Sequence, residues 1–291
     1  MSKKILITGA SGAFGSLTAK ALTKKGHTVV GTMRSTGGKN ESVTQSLKES
    51  GVHIVAMDVT DEGSVNRSVE QAIELLGGLD VVINNAGIGA IGIQELFTAE
   101  DMKAVFDVNV FGVQRVMRAV LPLFRNQGHG TIMHISSCIG RIAFPFYGAY
   151  SASKWALEAM AENYRSELSG FGIESVIIEP GGMPTGFMGS MLRPADTDRE
   201  ATYGEMSEAP EAALAGFEQA LQANPLQRPE KVAEAIGDLL DLPFGEKPLR
   251  TVVDYMGMGE PVAQYNDKLH DITHGIYSAF GNEGLLSLNR N

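Results

Sequence analysis

Short apolar runs alternate with longer stretches of helical periodicity along most of the chain. Ile5-Leu6-Ile7 is the first run; Thr28–Met33, Val52–Met57, Leu79–Ile83, Thr131–Ser136, Ile173–Ile178 and Leu249–Tyr255 follow. Continuous apolar runs of this length, rich in Val and Ile and bounded by turn residues, read as strands buried on both faces. Between them Phe14, Leu17, Ala21 and Leu22 recur at helical spacing, with Gly26 as the stop. Glu100–Arg125 reads as one long helix broken near Pro122, with Asn109 midway. Leu157, Met160, Ala161, Tyr164 and Leu168 mark another helix, starting at Tyr150. Glu211–Gln222 and Glu230–Leu240 are two more, and Thr60 or Asp61 is placed to cap the helix after the third strand. Strands alternating with helices predict an α/β domain built on a doubly wound parallel sheet, continuous over residues 1–291.

Two regions break the pattern. Thr36–Asn40 reads as a Gly-rich, mobile loop. From Met183 to Glu208, Met183, Met188, Met191 and Met206 mix with Pro184, Pro194 and several glycines. A stretch this long without clear periodicity suits a lid, and flexible methionines suit an adaptable apolar pocket. With the following helix it makes a candidate substrate lid over residues 183–225. Residues 256–291 form a less readable C-terminal tail.

Composition narrows the function. A hydrophobic content of 43% supplies a sizeable core, and a net charge of -10 with no basic stripe argues against nucleic acid. No run is long enough to span a membrane, and Thr8, Gly9, Ser11 and Gly12 interrupt the leader-like start after Lys3-Lys4. The single cysteine, Cys138, excludes an internal disulfide and suits a reducing compartment, so the expected location is cytoplasmic. Cys138 itself reads as a small buried apolar residue.

The chemistry gathers at the ends of the apolar runs. Gly9, Gly12 and Gly15 lie between the first strand and a helix, the context in which glycines let a backbone approach a pyrophosphate at a helix N-terminus. Ser11 and Phe14 belong to the same turn. Arg34 ends the second strand where an NAD-binding fold often carries an acid, and a guanidinium there suits a 2'-phosphate. Asp58, with Val59 beside it, ends the third strand within reach of an adenine amino group. Asn109 sits among Val105, Phe106, Val108, Val110 and Phe111, which predicts burial. Ser137 ends the fifth strand, and Tyr150 and Lys154 are neighbours at i and i+4 on one helix face. An ammonium beside a phenol favours phenolate and lowers its pKa from about 10. His134 reads as structural, and no metal-ligand cluster is evident.

Together these residues resemble the short-chain dehydrogenase/reductase family over about residues 3–255. The match runs in order through the Thr8–Gly15 turn, Asp58, Asn84-Asn85-Ala86-Gly87, Asn109, Ser137 with Tyr150 and Lys154, and Pro180-Gly181 with Thr185. The single-domain branch usually carries glycine where this chain has Ala13, and the spacing of Gly9, Gly12 and Gly15 is closer to the extended branch. The Asn84–Gly87 motif and the limited length keep the chain with the single-domain branch. The resemblance implies a Rossmann-type fold and an NADP(H)-dependent carbonyl reductase or alcohol dehydrogenase, acting on a small, largely apolar substrate. It implies Tyr150 as proton donor and acceptor, Lys154 as its tuner and a ribose ligand, Ser137 as the substrate carbonyl's partner, and Asn109 as holder of a water next to Lys154. Asn85, Ala86 and Gly87, with Pro180, Gly181 and Thr185, would complete the cofactor site. It also implies a homodimer or homotetramer through the helices starting near Glu100 and Tyr150. Alternatives are an NAD-dependent dehydrogenase, an acyl-thioester reductase, and a dinucleotide-binding regulator without turnover.

Overall fold

The computed structural model describes residues 2–288. The chain runs through β1 (Lys4–Ile7), α1 (Ala13–Lys24), β2 (Thr28–Met33), α2 (Glu41–Glu49), β3 (His53–Ala56) and α3 (Glu62–Leu76). It continues through β4 (Val81–Asn84), α4 (Ala99–Phe106), α5 (Gly112–Gln127), β5 (Gly130–Ile135), α6 (Gly148–Glu167) and β6 (Ile173–Pro180). The short α7 (Thr197–Glu200), then α8 (Ala209–Ala223), α9 (Glu230–Asp241), β7 (Arg250–Val253) and α10 (Gly259–Ala279) complete it. The seven strands form one parallel sheet in the order β3-β2-β1-β4-β5-β6-β7. Ile5 pairs with both Val29 and Val81, so β1 and β4 flank the point where the strand order reverses. A parallel sheet needs cover on both faces. Leu22, Leu47, Val232 and Ile236 supply one apolar layer, from α1, α2 and α9. Val65, Val69, Val116, Val120 and Leu157 supply the other, from α3, α5 and α6.

Two sequence expectations need correction, and the less readable tail gains a helix. The long helix is not broken at Pro122, which lies inside α5. The interruption is a π-helical turn at Asp107–Phe111, which carries the buried Asn109. Inside α5 the buried Val116, Val120 and Phe124 hold the apolar face across the proline, so packing overrides the lost hydrogen bond. The Met183–Glu208 stretch is not structureless, because it holds the turn Met188–Ser190, α7 and a 3-10 helical run at Ala201–Glu208 kinked at Gly204. Residues 256–288 hold α10, a helix of 21 residues; the last three residues of the expected tail lie outside the described residues. Asp61 caps α3 by accepting the Ser64 amide at 2.9 Å, while Thr60 turns back to Asp58 instead.

Candidate active site

A cavity of about 1050 Å³ lies across the C-terminal ends of the strands, at the reversal between β1 and β4, the usual ligand crevice of such sheets. At its first end, α1 begins with no side-chain cap, so its early amides face the cavity beside Gly12, Ala13 and Phe14. Gly9 adopts φ +68°, and a methyl there would stand 2.8 Å from the Ala86 backbone. A methyl at Gly15 would stand 2.5 Å from the Gly9 carbonyl. Gly15 therefore shapes the turn from behind and is not on the cavity wall. Asn85 fastens the turn, donating to the Thr8 carbonyl at 2.8 Å and the Gly9 carbonyl at 3.1 Å. Thr8 Oγ1 accepts the Asn85 and Ala86 amides, both at 3.0 Å. The turn is thus a rigid, anion-ready cradle, whose crowding only glycine tolerates at these two positions.

The adjoining wall carries Arg34, Asp58 and Val59, as expected, and also Lys39 from the Thr36–Asn40 segment. Among the described residues Asp58 is the only carboxylate on the cavity wall. Burial opposes its charge, but hydrogen bonds from the Thr60 amide at 2.9 Å and hydroxyl at 2.7 Å, with the Arg34 charge, hold its carboxyl below the ordinary range. A helix N-terminus, an acceptor at the end of β3 and two cations beyond β2 fit a dinucleotide, and the cations fit one carrying an extra phosphate.

The middle of the cavity brings together Ser137, Tyr150, Lys154, Gly87, Pro180, Gly181 and Thr185. Ser137 Oγ donates to the Pro180 carbonyl and accepts the Ile139 amide, both at 3.3 Å. Lys154 Nζ donates to the Ile135 carbonyl at 2.7 Å and lies 5.6 Å from the centre of the Tyr150 ring. Burial pushes Lys154 down to about 8, opposed by the Glu158 carboxylate. The expected drop in the Tyr150 pKa is not what this arrangement gives. Burial raises the phenol above its ordinary value, with the Ser137 hydroxyl pulling the other way. Desolvation of the anion outweighs an ammonium that is held on a carbonyl. Asn109 stays behind the wall: it accepts the Ile88 amide at 2.8 Å and donates to the Ile88 carbonyl and to Ser153 Oγ, each at 2.9 Å. A methyl at Gly87 would stand 3.2 Å from Asn109 Oδ1 and 3.7 Å from Lys154 Nζ. His134, fully buried and pushed down to about 3 by burial, stacks on Tyr164 and stays neutral.

The far end is apolar. Phe144, Phe146, Tyr147, Phe187, Met191 and Phe217 line it, with Met183, Met188 and Ala213, and Met256 and Met258 come from the segment after β7. From residues 183–208, only the first part, up to Met191, faces the cavity. Leu192 then bridges to Ala90, and Arg199 and Tyr203 reach Glu95 on the outer surface. Phe146 is, among the described residues, the one non-glycine with positive φ, at 71°. Its carbonyl accepts the Gly92 amide at 2.9 Å, which holds the strained backbone. No periodicity signals such a residue.

The chain matches the family model for short chain dehydrogenases over residues 3–195. A 3-ketodihydrosphingosine reductase from Bacteroides thetaiotaomicron is 42% identical over 183 residues, which span 63% of this chain and 65% of that relative. An oxidoreductase, BOA17, from Botryotinia fuckeliana is 33% identical over 92% of this chain and 96% of its own length. Among solved structures, a short-chain dehydrogenase from Streptomyces avermitilis superposes with a TM-score of 0.76 at 30% identity, covering 97% of this chain and 98% of that one. Sequence, sheet order and cavity agree with these matches, and the chain belongs to the short-chain dehydrogenase/reductase family of oxidoreductases, which bind nicotinamide dinucleotides.

Proposed function

We propose that the chain is an NADP(H)-dependent oxidoreductase that moves a hydride between the nicotinamide and an uncharged, largely apolar ketone, aldehyde or secondary alcohol. The observation that carries this reading is the meeting of Ser137, Tyr150 and Lys154 on one cavity wall, between an anion-ready helix start and an apolar end. When bound, the dinucleotide supplies or accepts the hydride. The Gly9–Gly15 turn would hold its pyrophosphate, Asp58 and Val59 its adenine, and Arg34 with Lys39 its 2'-phosphate. Asn85, Ala86, Gly87, Pro180, Gly181 and Thr185 would border its nicotinamide half. Tyr150 keeps its proton in the buried site and hands it to the substrate oxygen in reduction; as phenolate it takes a proton in oxidation. Lys154 retains charge at neutral pH and favours the phenolate as the proton leaves. The two long bonds of Ser137 leave its hydroxyl able to turn to the substrate oxygen. Asn109 acts as a positioning residue, tying the π-helical turn to Ser153 beside Lys154.

Among the described residues the charged side chains on the cavity wall are Arg34, Lys39, Asp58 and Lys154, and the first three stand at the end proposed for the adenosine. The substrate end thus favours neutral molecules with apolar surface. The similarity to a 3-ketodihydrosphingosine reductase supports a ketone substrate with apolar surface. Half-exposed Phe111 and Trp155, beside α5 and on α6, support pairing of two copies through these helices.

The test is a panel of ketones, aldehydes and alcohols with each cofactor, followed by nicotinamide absorbance. Turnover should be faster with NADPH than with NADH. Tyr150→Phe should lose about 10²–10⁴-fold in kcat while still binding NADPH. Binding without hydride transfer across the whole panel would instead favour a dinucleotide-binding protein without turnover.

A further inference from the structure

Beneath the catalytic wall lies a buried network of ionisable and polar side chains apart from Ser137, Tyr150 and Lys154 themselves. Arg141, one residue past the Cys138–Gly140 turn that follows Ser137, is 6% exposed. Its guanidinium lies between two rings, 5.6 Å from the centre of Trp155 on α6 and 5.1 Å from that of Tyr265 on α10. Its Nε donates to Asn266 Oδ1 at 3.0 Å. Glu158 and Glu179 stand 3.9 Å away, themselves buried and held by Arg250. Glu158 is one helical turn beyond Lys154, and Glu179 directly precedes Pro180-Gly181.

Asn266 is the joint of this group. Its Oδ1 accepts from Arg141 and its Nδ2 donates to Glu179 Oε2 at 2.6 Å. The same two segments meet again nearer the cavity, where Cys138 Sγ donates to the Glu179 carbonyl at 3.5 Å and Ser137 Oγ to the Pro180 carbonyl at 3.3 Å. One amide from α10 therefore spans the segment that carries Ser137 and the segment that borders the cofactor end of β6. Tyr265 and Asn266 lie beyond residues 3–195, the part of the chain that the family model matches. Arg141 is held here by the Nε bond to Asn266 and by the two flanking rings, and losing such partners is costly for a buried guanidinium. Fixing Arg141 thus fixes the turn that starts at Ser137.

We propose that Asn266 and Arg141 are positioning residues, through which the C-terminal helix α10 locks the Ser137 turn against the end of β6. The catalytic consequence rests on the oxidoreductase reading above; the locking itself does not. Ser137 then receives the substrate oxygen at a place set by a helix that does not line the catalytic wall.

Cys138 is the sole cysteine and is fully buried in the turn, so it reports the lock independently of turnover. Burial also raises its thiol pKa, and it should react slowly with a thiol reagent in the native protein. The experiment compares the full chain with Asn266→Leu, Arg141→Met and a control, Val262→Ala, which loosens a fully buried apolar contact of α10 one helical turn before Asn266 and removes no hydrogen bond of the joint. Each is measured at the same distance below its own melting temperature. Asn266→Leu and Arg141→Met should raise the labelling rate of Cys138 by roughly tenfold or more through local opening, and Val262→Ala should not. For a carbonyl that the wild type reduces, Asn266→Leu should lower kcat by roughly ten- to a hundredfold with an unchanged KM for NADPH. Cys138 labelling equal to wild type in both Asn266→Leu and Arg141→Met overturns the lock. Faster labelling with unchanged kcat overturns its role in positioning Ser137. A wild type that reduces no carbonyl sinks the functional reading, and the labelling arm still decides the lock.

Discussion

Arg34 and Lys39 show how two side chains of unequal legibility can meet on one cavity wall. Arg34 is read directly from its place at the end of β2, whereas Lys39 reaches the same wall only through the fold of the loop before α2. A guanidinium makes paired, preorganised bonds to phosphate, and an ammonium on a flexible stem acts as a point charge. A hydrogen bond between charged groups contributes about 1.5–3 kcal/mol, or roughly ten- to a hundredfold in affinity. Arg34→Ala should therefore raise the KM for NADPH by about that factor, and Lys39→Ala by severalfold at most. Neither should change the KM for NADH. Steady-state kinetics with both cofactors check this, and an Arg34→Ala enzyme with unaltered NADPH kinetics would make Arg34 a solvated loop residue. Tyr150 illustrates the opposite case. Its position is legible from spacing, but the direction of its pKa is not, because burial is set by Phe187, Ser137 and the rest of the wall.

The segment between β6 and α8 behaves as two parts. Thr185, Phe187, Met188 and Met191 face the cavity. The remainder turns outward, held by a 2.7 Å ion pair between Arg193 and Glu211 and by the contacts of Arg199 and Tyr203 with Glu95. If the inner part closes over substrate, NADP⁺ with a product analogue should slow amide exchange at Thr185–Met191 and leave residues 196–208 nearly unchanged. Hydrogen exchange read by mass spectrometry separates the two parts. Uniform protection across the segment would mean that it moves as one lid, and none at Thr185–Met191 would remove the lid altogether. The sequence marks this segment by its methionines and length, and it cannot mark the division. That division comes from Leu192 pairing with Ala90 and from Glu95, 104 positions before Arg199, with Glu211 of the following helix holding Arg193.

Stability should depend on pH through the charges under the sheet. Burial and the neighbouring Glu158 raise Glu179 to about 8 from 4.5, against Arg250, Asn266 and Arg141. Between those values the native state holds a proton that the unfolded chain has released, so stability falls as pH rises. His134 works in the other direction but only below its ordinary 6.5, since burial keeps it neutral when folded. Lys154 also works in the other direction, above about 8, where the unfolded chain still holds a proton that the native one has lost. The clean window is therefore from pH 6.5 to about 8. Across it the urea midpoint of the wild type should drop, and Glu179→Gln should flatten the slope. An equal slope in both proteins would show that Glu179 is not the group that titrates.

The order of strands and helices, the glycine turn and the Ser137, Tyr150 and Lys154 set were all legible in the sequence. Each is a local signal: apolar periodicity, a strand running into glycines, or side chains one helical turn apart. Thr8, Asn85 and Ala86 then lock the turn that the glycines permit. What only the tertiary structure decided depends on partners far apart in the chain. Pro122 is a strong local signal for a break, yet packing on Val116, Val120 and Phe124 carries α5 through it, and the irregularity falls instead at Asn109. Arg141 and Asn266 are 125 positions apart and meet only because β6, β7 and α10 close around them. Burial is a property of the whole fold, so it could reverse the expected shift of Tyr150 while leaving the residue where its spacing had put it.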